Sequence, residues 1–138
     1  MNDGTFILLV EDNHDDVMLT RRALHKLDST VQLVTAQNGM EAMSLFMGNG
    51  MFAKKDDVRK LLLILLDLNI PKLNGLVLLQ FFRTEPRTKN VPIVIVSASK
   101  EQIDQLESKD LGAVGFVSKP MTTPKLAEIV EQHKPRQR

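Results

Sequence analysis

The sequence predicts an α/β fold, a doubly wound parallel sheet of five strands with five helices, and three observations lead to it. The chain has 138 residues, 43% hydrophobic and 25% charged, which suits one globular domain. Five short apolar segments alternate with segments of helical character. Several apolar segments are continuous instead of alternating with polar residues, which is typical of parallel strands buried on both faces.

The strands are predicted from aliphatic runs at residues 6–10, 31–36, 61–66, 92–96 and 113–117. The first, third and fourth runs are nearly continuous, as in Ile7-Leu8-Leu9-Val10 and Ile93-Val94-Ile95-Val96. A strand with one solvated face would alternate polar and apolar residues. These three strands are therefore predicted to be buried on both faces of the sheet.

The helices are predicted from apolar periodicity and from residues that begin or end helices. The first has an apolar stripe of Val17, Leu24 and Leu27. The next three run over about 39–47, 75–83 and 100–109, and the last begins near residue 123 and ends before Pro135. The connection at 48–60 is longer than usual, and we expect a surface excursion there.

Composition excludes several classes of protein. The absence of cysteine excludes disulfides, thiolate catalysis and cysteine-ligated zinc. A net charge of +1 gives no strong field for nucleic acid or membrane, and the longest apolar run, at 61–66, is far too short to span a bilayer. The first residues lack the basic region of a signal peptide, so we expect a cytoplasmic protein without nucleic-acid or membrane partners.

Polar residues follow four of the predicted strands. Glu11 and Asp12 follow the first, Asp67 follows the third, Ser97 ends the fourth, and Lys119 comes shortly after the fifth. Taken singly, each could be a solvated turn, a strand terminator or a surface lysine. Sites in open α/β sheets form at the carboxyl ends of the strands, so the conjunction favours one functional site.

These segments carry a resemblance to the receiver domains of two-component response regulators, similar to the chemotaxis single-domain regulators. The matching segments are Leu-Val-Glu-Asp-Asn at 9–13, Leu-Asp-Leu-Asn-Ile-Pro-Lys-Leu-Asn-Gly at 66–75, Val-Ser-Ala at 96–98 and Gly-Phe-Val-Ser-Lys-Pro at 115–120. The stretches at 11–17 and 99–112 are most similar to regulators paired with bacterial phytochrome-type kinases. The resemblance implies a flavodoxin-like (CheY-like) fold with strand order 2-1-3-4-5.

The resemblance also implies a Mg²⁺ site and a phosphorylated aspartate. Asp12, Asp67 and the backbone carbonyl of Asn69 would bind Mg²⁺ directly, and Glu11 would bind it through a water. The cation would relieve the repulsion between the three carboxylates. Asp67 would attack the phosphorus of a phosphohistidine on a sensor histidine kinase or phosphotransfer protein and form an acyl phosphate.

Further residues are implied to bind the phosphoryl group. Lys119 would supply a positive charge, and the Ser97 hydroxyl and the backbone N–H groups of Asn69 and Ala98 would bind the remaining oxygens. Ser97 stands where many relatives have Thr, which keeps the hydroxyl. The Lys119–Pro120 bond lies where the family has a cis peptide.

A switch is implied at Ser97 and Phe116. The hydroxyl would move toward the phosphoryl group, and the aromatic ring would swing inward and remodel the face of the fourth helix, fifth strand and fifth helix. A permanently buried core position for Phe116 is the alternative. Only 19 residues follow Lys119, so we expect no effector domain; the output would be contact with an unknown downstream protein.

The sequence leaves some choices open. The receiver domain is expected over 1–134 and a basic tail over 135–138, for which nucleic-acid contact is an alternative to a solvated role. The protein could be a monomer or a homodimer through the switch face. We expect it to catalyse only its own phosphorylation and dephosphorylation, so it is not an enzyme in the usual sense.

Three rival functions are weighed against the receiver. A haloacid-dehalogenase-type phosphohydrolase would need a second Asp at position 69, where this chain has Asn69. A flavin-binding protein would need a phosphate loop after the first strand, where Glu11 and Asp12 carry the wrong charge. A degenerate receiver would bind partners without phosphorylation, but all the site residues are present.

Overall fold

The computed structural model describes residues 4–70, 74–109 and 111–133, and they form the predicted α/β fold. The strands are β1 (Phe6–Val10), β2 (Gln32–Ala36), β3 (Leu61–Asp67), β4 (Ile93–Ser97) and β5 (Gly115–Ser118). The helices are α1 (His14–Leu27), α2 (Gly39–Ser44), α3 (Lys55–Val58), α4 (Gly75–Thr84), α5 (Lys100–Glu107) and α6 (Thr123–His133). The expected tail at 135–138 and the Pro71-Lys72-Leu73 part of the matching motif lie outside the described residues.

All five strands pair in parallel in the order β2-β1-β3-β4-β5, as the resemblance implies. This order places β1 next to β3 and leaves β5 at an edge. Parallel neighbours present their carboxyl ends at the same side of the sheet. The segments that follow β1, β3, β4 and β5 therefore converge.

The central strands are buried on both faces, as their continuous apolar sequences predict. Alternate side chains point to opposite faces, so each strand contributes to two clusters. One cluster packs under α2, α4 and α5 and contains Leu8, Val10, Ile64, Leu66, Phe46, Phe52 and Phe82. The other packs under α1 and α6 and contains Ile7, Leu9, Leu63, Leu65, Ala23, Leu24, Leu126 and Ile129. Together the clusters fix the sheet that carries the strand ends.

The 48–60 connection differs from the prediction, because it contains a short helix and is partly buried. The described residues form six helices, one more than predicted, and the additional helix is α3. Phe52 and Val58 are buried in the first cluster. The ring of Phe52 lies 5.5 Å from that of Phe46 and 5.9 Å from that of Phe6. These two apolar side chains draw the connection onto the core instead of leaving it on the surface.

Helix α2 is shorter than predicted and ends at Ser44 instead of continuing to Met47. The N–H groups of Leu45, Phe46 and Met47 each donate to a carbonyl three residues earlier, which is the tighter 3₁₀ pattern. The backbone then turns back, and a Cβ at Gly50 would overlap the carbonyl oxygens of Ser44 and Leu45. The tight turn brings Phe46 into the core.

No helix among the described residues is long and apolar enough to cross a membrane.

The guanidinium of Arg87 joins the 48–60 connection to the segment between α4 and β4. It donates hydrogen bonds to the carbonyl oxygens of Phe46, at 2.9 Å, and Ala53, and it pairs with Glu85 at 2.7 Å. The variant Arg87→Met removes these donors and strands two carbonyl groups. We expect it to lower the free energy of unfolding by about 2–3 kcal/mol, measured by urea denaturation.

A matched control for this prediction is Arg59→Met. Arg59 is largely exposed, and it pairs with the equally exposed Asp56 at 3.5 Å. Exposed ion pairs contribute little, so we expect a change below about 0.5 kcal/mol. Equal losses of stability in both variants would contradict a specific role of Arg87.

Candidate functional site

The site begins with two buried carboxylates on neighbouring strands. Val10 of β1 pairs with Leu66 of β3, so the next residues, Glu11 and Asp67, lie side by side. Glu11 is 2% exposed and Asp67 is 4% exposed. Asp12 is exposed and completes a group of three carboxylates, in which one oxygen atom from each lies within 4.8 Å of the other two.

One ammonium group binds the two buried carboxylates of this cluster. Lys119 Nζ lies 2.8 Å from Glu11 Oε1, 2.9 Å from Asp67 Oδ2 and 2.9 Å from Asp16 Oδ2. Lys119 follows β5, and its backbone N–H donates to the carbonyl of Ser97 at 2.8 Å. Its side chain reaches across β4 to the end of β3, as its long flexible stem allows. The bond to Pro120 is cis, as the resemblance implies.

Burial and the short distances between these groups shift the pKa values of both Glu11 and Lys119. Burial raises the pKa of Glu11 to about 7; the Lys119 hydrogen bond opposes this rise, and the neighbouring charge of Asp67 adds to it. Burial alone would lower the pKa of Lys119, but its hydrogen bonds to Glu11, Asp16 and Asp67 outweigh this effect and raise the pKa. Lys119 therefore stays protonated here, and the surrounding carboxylates favour the binding of positive charge.

The donor set suits a hard divalent cation. Three carboxylates that converge on one point supply oxygen ligands, which Mg²⁺ prefers. Asp12 is exposed, so waters can reach the cluster and complete an octahedron. The residues present therefore fit Mg²⁺.

Of the residues expected to bind a phosphoryl group, Asn69, Ala98 and Lys119 line the same cleft and Ser97 does not. The lining of the cleft includes Asp67, Asn69, Ala98 and Lys119, together with the three residues Glu11, Asp12 and Asp16. The backbone N–H of Asn69 donates to Asp67 Oδ1 at 2.9 Å. Thus each oxygen of the Asp67 carboxylate has a hydrogen-bond donor from a different part of the site.

Ser97 ends β4, where it is 1% exposed, one residue beyond the Val96 that pairs with Asp67. Its hydroxyl donates to Gln102 Oε1 at 2.6 Å, with the carbonyl oxygen of Ser99 as a longer alternative acceptor at 3.4 Å, and it accepts the N–H of Ser99 at 3.1 Å. The hydroxyl is thus engaged with the start of α5.

Phe116 lies on the edge strand β5, opposite Ile95 in the register. It is half-buried and packs against the first core cluster. It is neither fully exposed nor a fully enclosed core residue.

Two residues of the site were not expected from the sequence. Asp16 pairs with Lys119, and Gln102 accepts hydrogen bonds from Ser97 and from Asn69 Nδ2, the latter at 3.3 Å. Both stand at the third helical position after an N-cap, Asn13 for α1 and Ser99 for α5. Capping patterns of this kind are visible in the sequence, but they indicate only where a helix begins.

Comparisons with known proteins find response regulators among the relatives of this chain. The protein is similar to the response regulator Rcp1 of Synechocystis sp., at 28% identity over 130 residues, which is 94% of this chain and 86% of Rcp1. A solved structure of Rcp1 is described as the Mn(2+)-bound form; it has a TM-score of 0.71 and covers 93% of this chain and 90% of that chain.

Two further solved structures are similar. The bacteriophytochrome response regulator RtBRR has a TM-score of 0.83 at 28% identity, covering 97% of this chain and 80% of that chain. The cyanobacterial phytochrome response regulator RcpA, described as phosphorylated, has a TM-score of 0.73 at 34% identity, covering 93% and 89%. Residues 7–131 match the response regulator receiver domain family. The chain therefore belongs to this family, the CheY-like receivers of two-component signalling.

Proposed function

We propose that this receiver accepts a phosphoryl group on Asp67 from the phosphohistidine of a sensor histidine kinase or phosphotransfer protein. The observation that carries the proposal is a buried carboxylate that lies beside two further carboxylates and 2.9 Å from an ammonium group. The descriptions of RcpA as phosphorylated and of Rcp1 as Mn(2+)-bound support the same chemistry here.

The transfer is a displacement at phosphorus. An oxygen of Asp67 forms the new O–P bond as the P–N bond of phosphohistidine breaks, and the leaving imidazole takes a proton from solvent. Lys119 Nζ, already 2.9 Å from Asp67, binds a phosphoryl oxygen. The N–H groups of Asn69 and Ala98 and the hydroxyl of Ser97 bind the others.

Mg²⁺, when bound, supplies positive charge at Glu11, Asp12, Asp67 and the carbonyl of Asn69. Lys119 binds the phosphoryl group, and Asp16 holds Lys119 in place. Lys119 stays in the site because Asp16 gives it a partner that is not a proposed metal ligand. A doubly charged phosphoryl group thus enters a site that already contains an oriented cation.

The output follows from Ser97 and Phe116. Ser97 turns toward the phosphoryl group, and Phe116, half-buried on β5, moves further into the space next to the core. The changed surface is the face of α5, β5 and α6, which would contact a downstream protein or a second copy of the chain.

Three predictions test the proposed function, and the first concerns the phosphorylated residue. Incubation with acetyl phosphate and Mg²⁺ should add one phosphoryl group, and Asp67→Asn should abolish the addition, because an amide is not a nucleophile here. Intact-mass spectrometry measures the gain. The exposed Asp56→Asn is the control and should behave as the unaltered protein. Phosphorylation of Asp67→Asn at the unaltered level would refute the assignment.

The second prediction concerns the metal. Because Mg²⁺ would bind only the folded chain, millimolar Mg²⁺ should raise the Tm in proportion to the logarithm of its concentration above Kd. Differential scanning calorimetry measures the shift. Asp12→Asn should largely remove the shift, because it removes a proposed ligand of the metal. Since Asp12 is exposed, its replacement leaves the fold intact. No shift in the unaltered protein would argue against a metal site.

The third prediction separates the two cations. Lys119→Met removes the ammonium group that pairs with Glu11 and Asp67, two of the proposed metal ligands. Because the repulsion between this ammonium and the metal is lost, Mg²⁺ should bind roughly tenfold more tightly, the effect of one nearby like charge. Phosphorylation should nevertheless fall sharply, because the phosphoryl group loses Lys119. Calorimetric titration and intact-mass measurements test the two parts, with the exposed Lys100→Met as control. Weaker Mg²⁺ binding in Lys119→Met would contradict the argument.

A further inference from the structure

The hydroxyl of Ser97 takes part in the cap of helix α5. Ser99 is the N-cap of this helix, and its side chain accepts the N–H of Gln102 at 3.0 Å. In an ordinary capping box, a second hydrogen bond runs the other way: the side chain at the third helical position accepts the backbone N–H of the N-cap residue. Here the N–H of Ser99 donates to Ser97 Oγ instead, at 3.1 Å.

Ser97 is therefore inserted between the two members of the capping box. Gln102 Oε1 does not close on Ser99 but accepts the Ser97 hydroxyl at 2.6 Å, the shorter of the two bonds that Oε1 accepts. Ser97 itself is 1% exposed, so no bulk water replaces this partner. The cleft beside Asp67 is lined by Ala98 and Lys119 and, among the described residues, not by Ser97.

A hydroxyl has one proton to donate. While Gln102 accepts that proton, a phosphoryl oxygen on Asp67 cannot. The same Oε1 also accepts Asn69 Nδ2, so Gln102 contacts two of the residues expected around the phosphoryl group. It reaches them from α5 and is not itself part of the cleft lining.

We propose that Gln102 is a positioning residue that holds the Ser97 hydroxyl on the α5 side of the site until a phosphoryl group displaces it. The proposal rests on phosphorylation of Asp67, and it names the contact that the unphosphorylated state must give up. Breaking that contact also alters the cap of α5. The start of this helix is thereby linked to the site through one side chain.

The test uses beryllofluoride, a phosphoryl mimic, in calorimetric titrations of the full chain at saturating Mg²⁺. Gln102→Met keeps the length of the side chain but removes the acceptor. The Ser97 hydroxyl then keeps only its long contact with the carbonyl oxygen of Ser99, at 3.4 Å, and turns more readily. Beryllofluoride should therefore bind roughly three- to tenfold more tightly, the effect of one hydrogen bond. The exposed Gln105→Met, on the same helix, is the matched control and should bind as the unaltered protein does.

A double-mutant cycle distinguishes positioning from a general effect on the fold. In a Ser97→Ala background there is no hydroxyl to hold, so Gln102→Met should no longer change the affinity for beryllofluoride. A purely structural role of Gln102 would change the affinity by the same factor in both backgrounds.

Three results would overturn the proposal: unchanged or weaker binding in Gln102→Met, an equal effect in the Ser97→Ala background, or an equal gain in Gln105→Met. If the unaltered protein fails to bind beryllofluoride at all, the phosphorylation of Asp67 itself is refuted, and the role of Gln102 falls with it. Since that outcome is seen in the first titration, the two failures are distinguishable.

Discussion

The site depends on one ammonium group held between carboxylates from three separate elements. Glu11 and Asp67 are almost fully buried, and a buried carboxylate without a partner would be strongly destabilising. Lys119, at 2.8–2.9 Å from both, compensates that burial, and Asp16 fixes the ammonium from the side of α1. The ion cluster holds the carboxylate oxygens in one arrangement.

The arrangement is possible because the sheet supplies a rigid edge. β1, β3 and β4 are buried on both faces by two apolar clusters, so their carboxyl ends have little freedom to move. The register of β1 against β3 sets Glu11 beside Asp67, and the register of β3 against β4 sets Ser97 one step further on. Hydrophobic packing of the strands thus fixes the positions of the buried carboxylates at their ends, although an apolar interior by itself disfavours charged groups.

The sequence predicts the strands and the polar residues at their carboxyl ends, because both follow from local patterns along the chain. Continuous aliphatic runs predict the strands, and the polar residues that follow them predict the strand-end cluster. Residues whose role depends on three-dimensional pairing are not predicted in this way. Asp16 and Gln102 follow ordinary helix caps, and nothing local distinguishes a side chain that caps a helix from one that turns toward a neighbour. Their roles emerge only when α1 and α5 are placed against the strand ends.

The same reasoning explains why the 48–60 connection differs from its prediction. Residues 48–60 are rich in charge, and charge predicts a surface position. The apolar residues of that segment are too few to form a periodic pattern, yet Phe52 and Val58 are buried in the first cluster. Arg87 then binds the carbonyl groups that the tight turn and the connection leave without strand or helix partners. A short polar segment can therefore form part of the core when a few side chains and one guanidinium anchor it.

Ser97 joins the two halves of the structure, the ion cluster and the helical face. The backbone carbonyl of Ser97 accepts the N–H of Lys119, while its hydroxyl belongs to the cap of α5. The backbone position is fixed by β4, but the hydroxyl needs only a rotation about one bond to change partners. A small rotation at the end of a rigid strand can therefore alter a helix cap without disturbing the sheet. Under the proposed phosphorylation, this division between fixed backbone and movable side chain would let a charge added at Asp67 act on the surface of α5 without displacing the sheet.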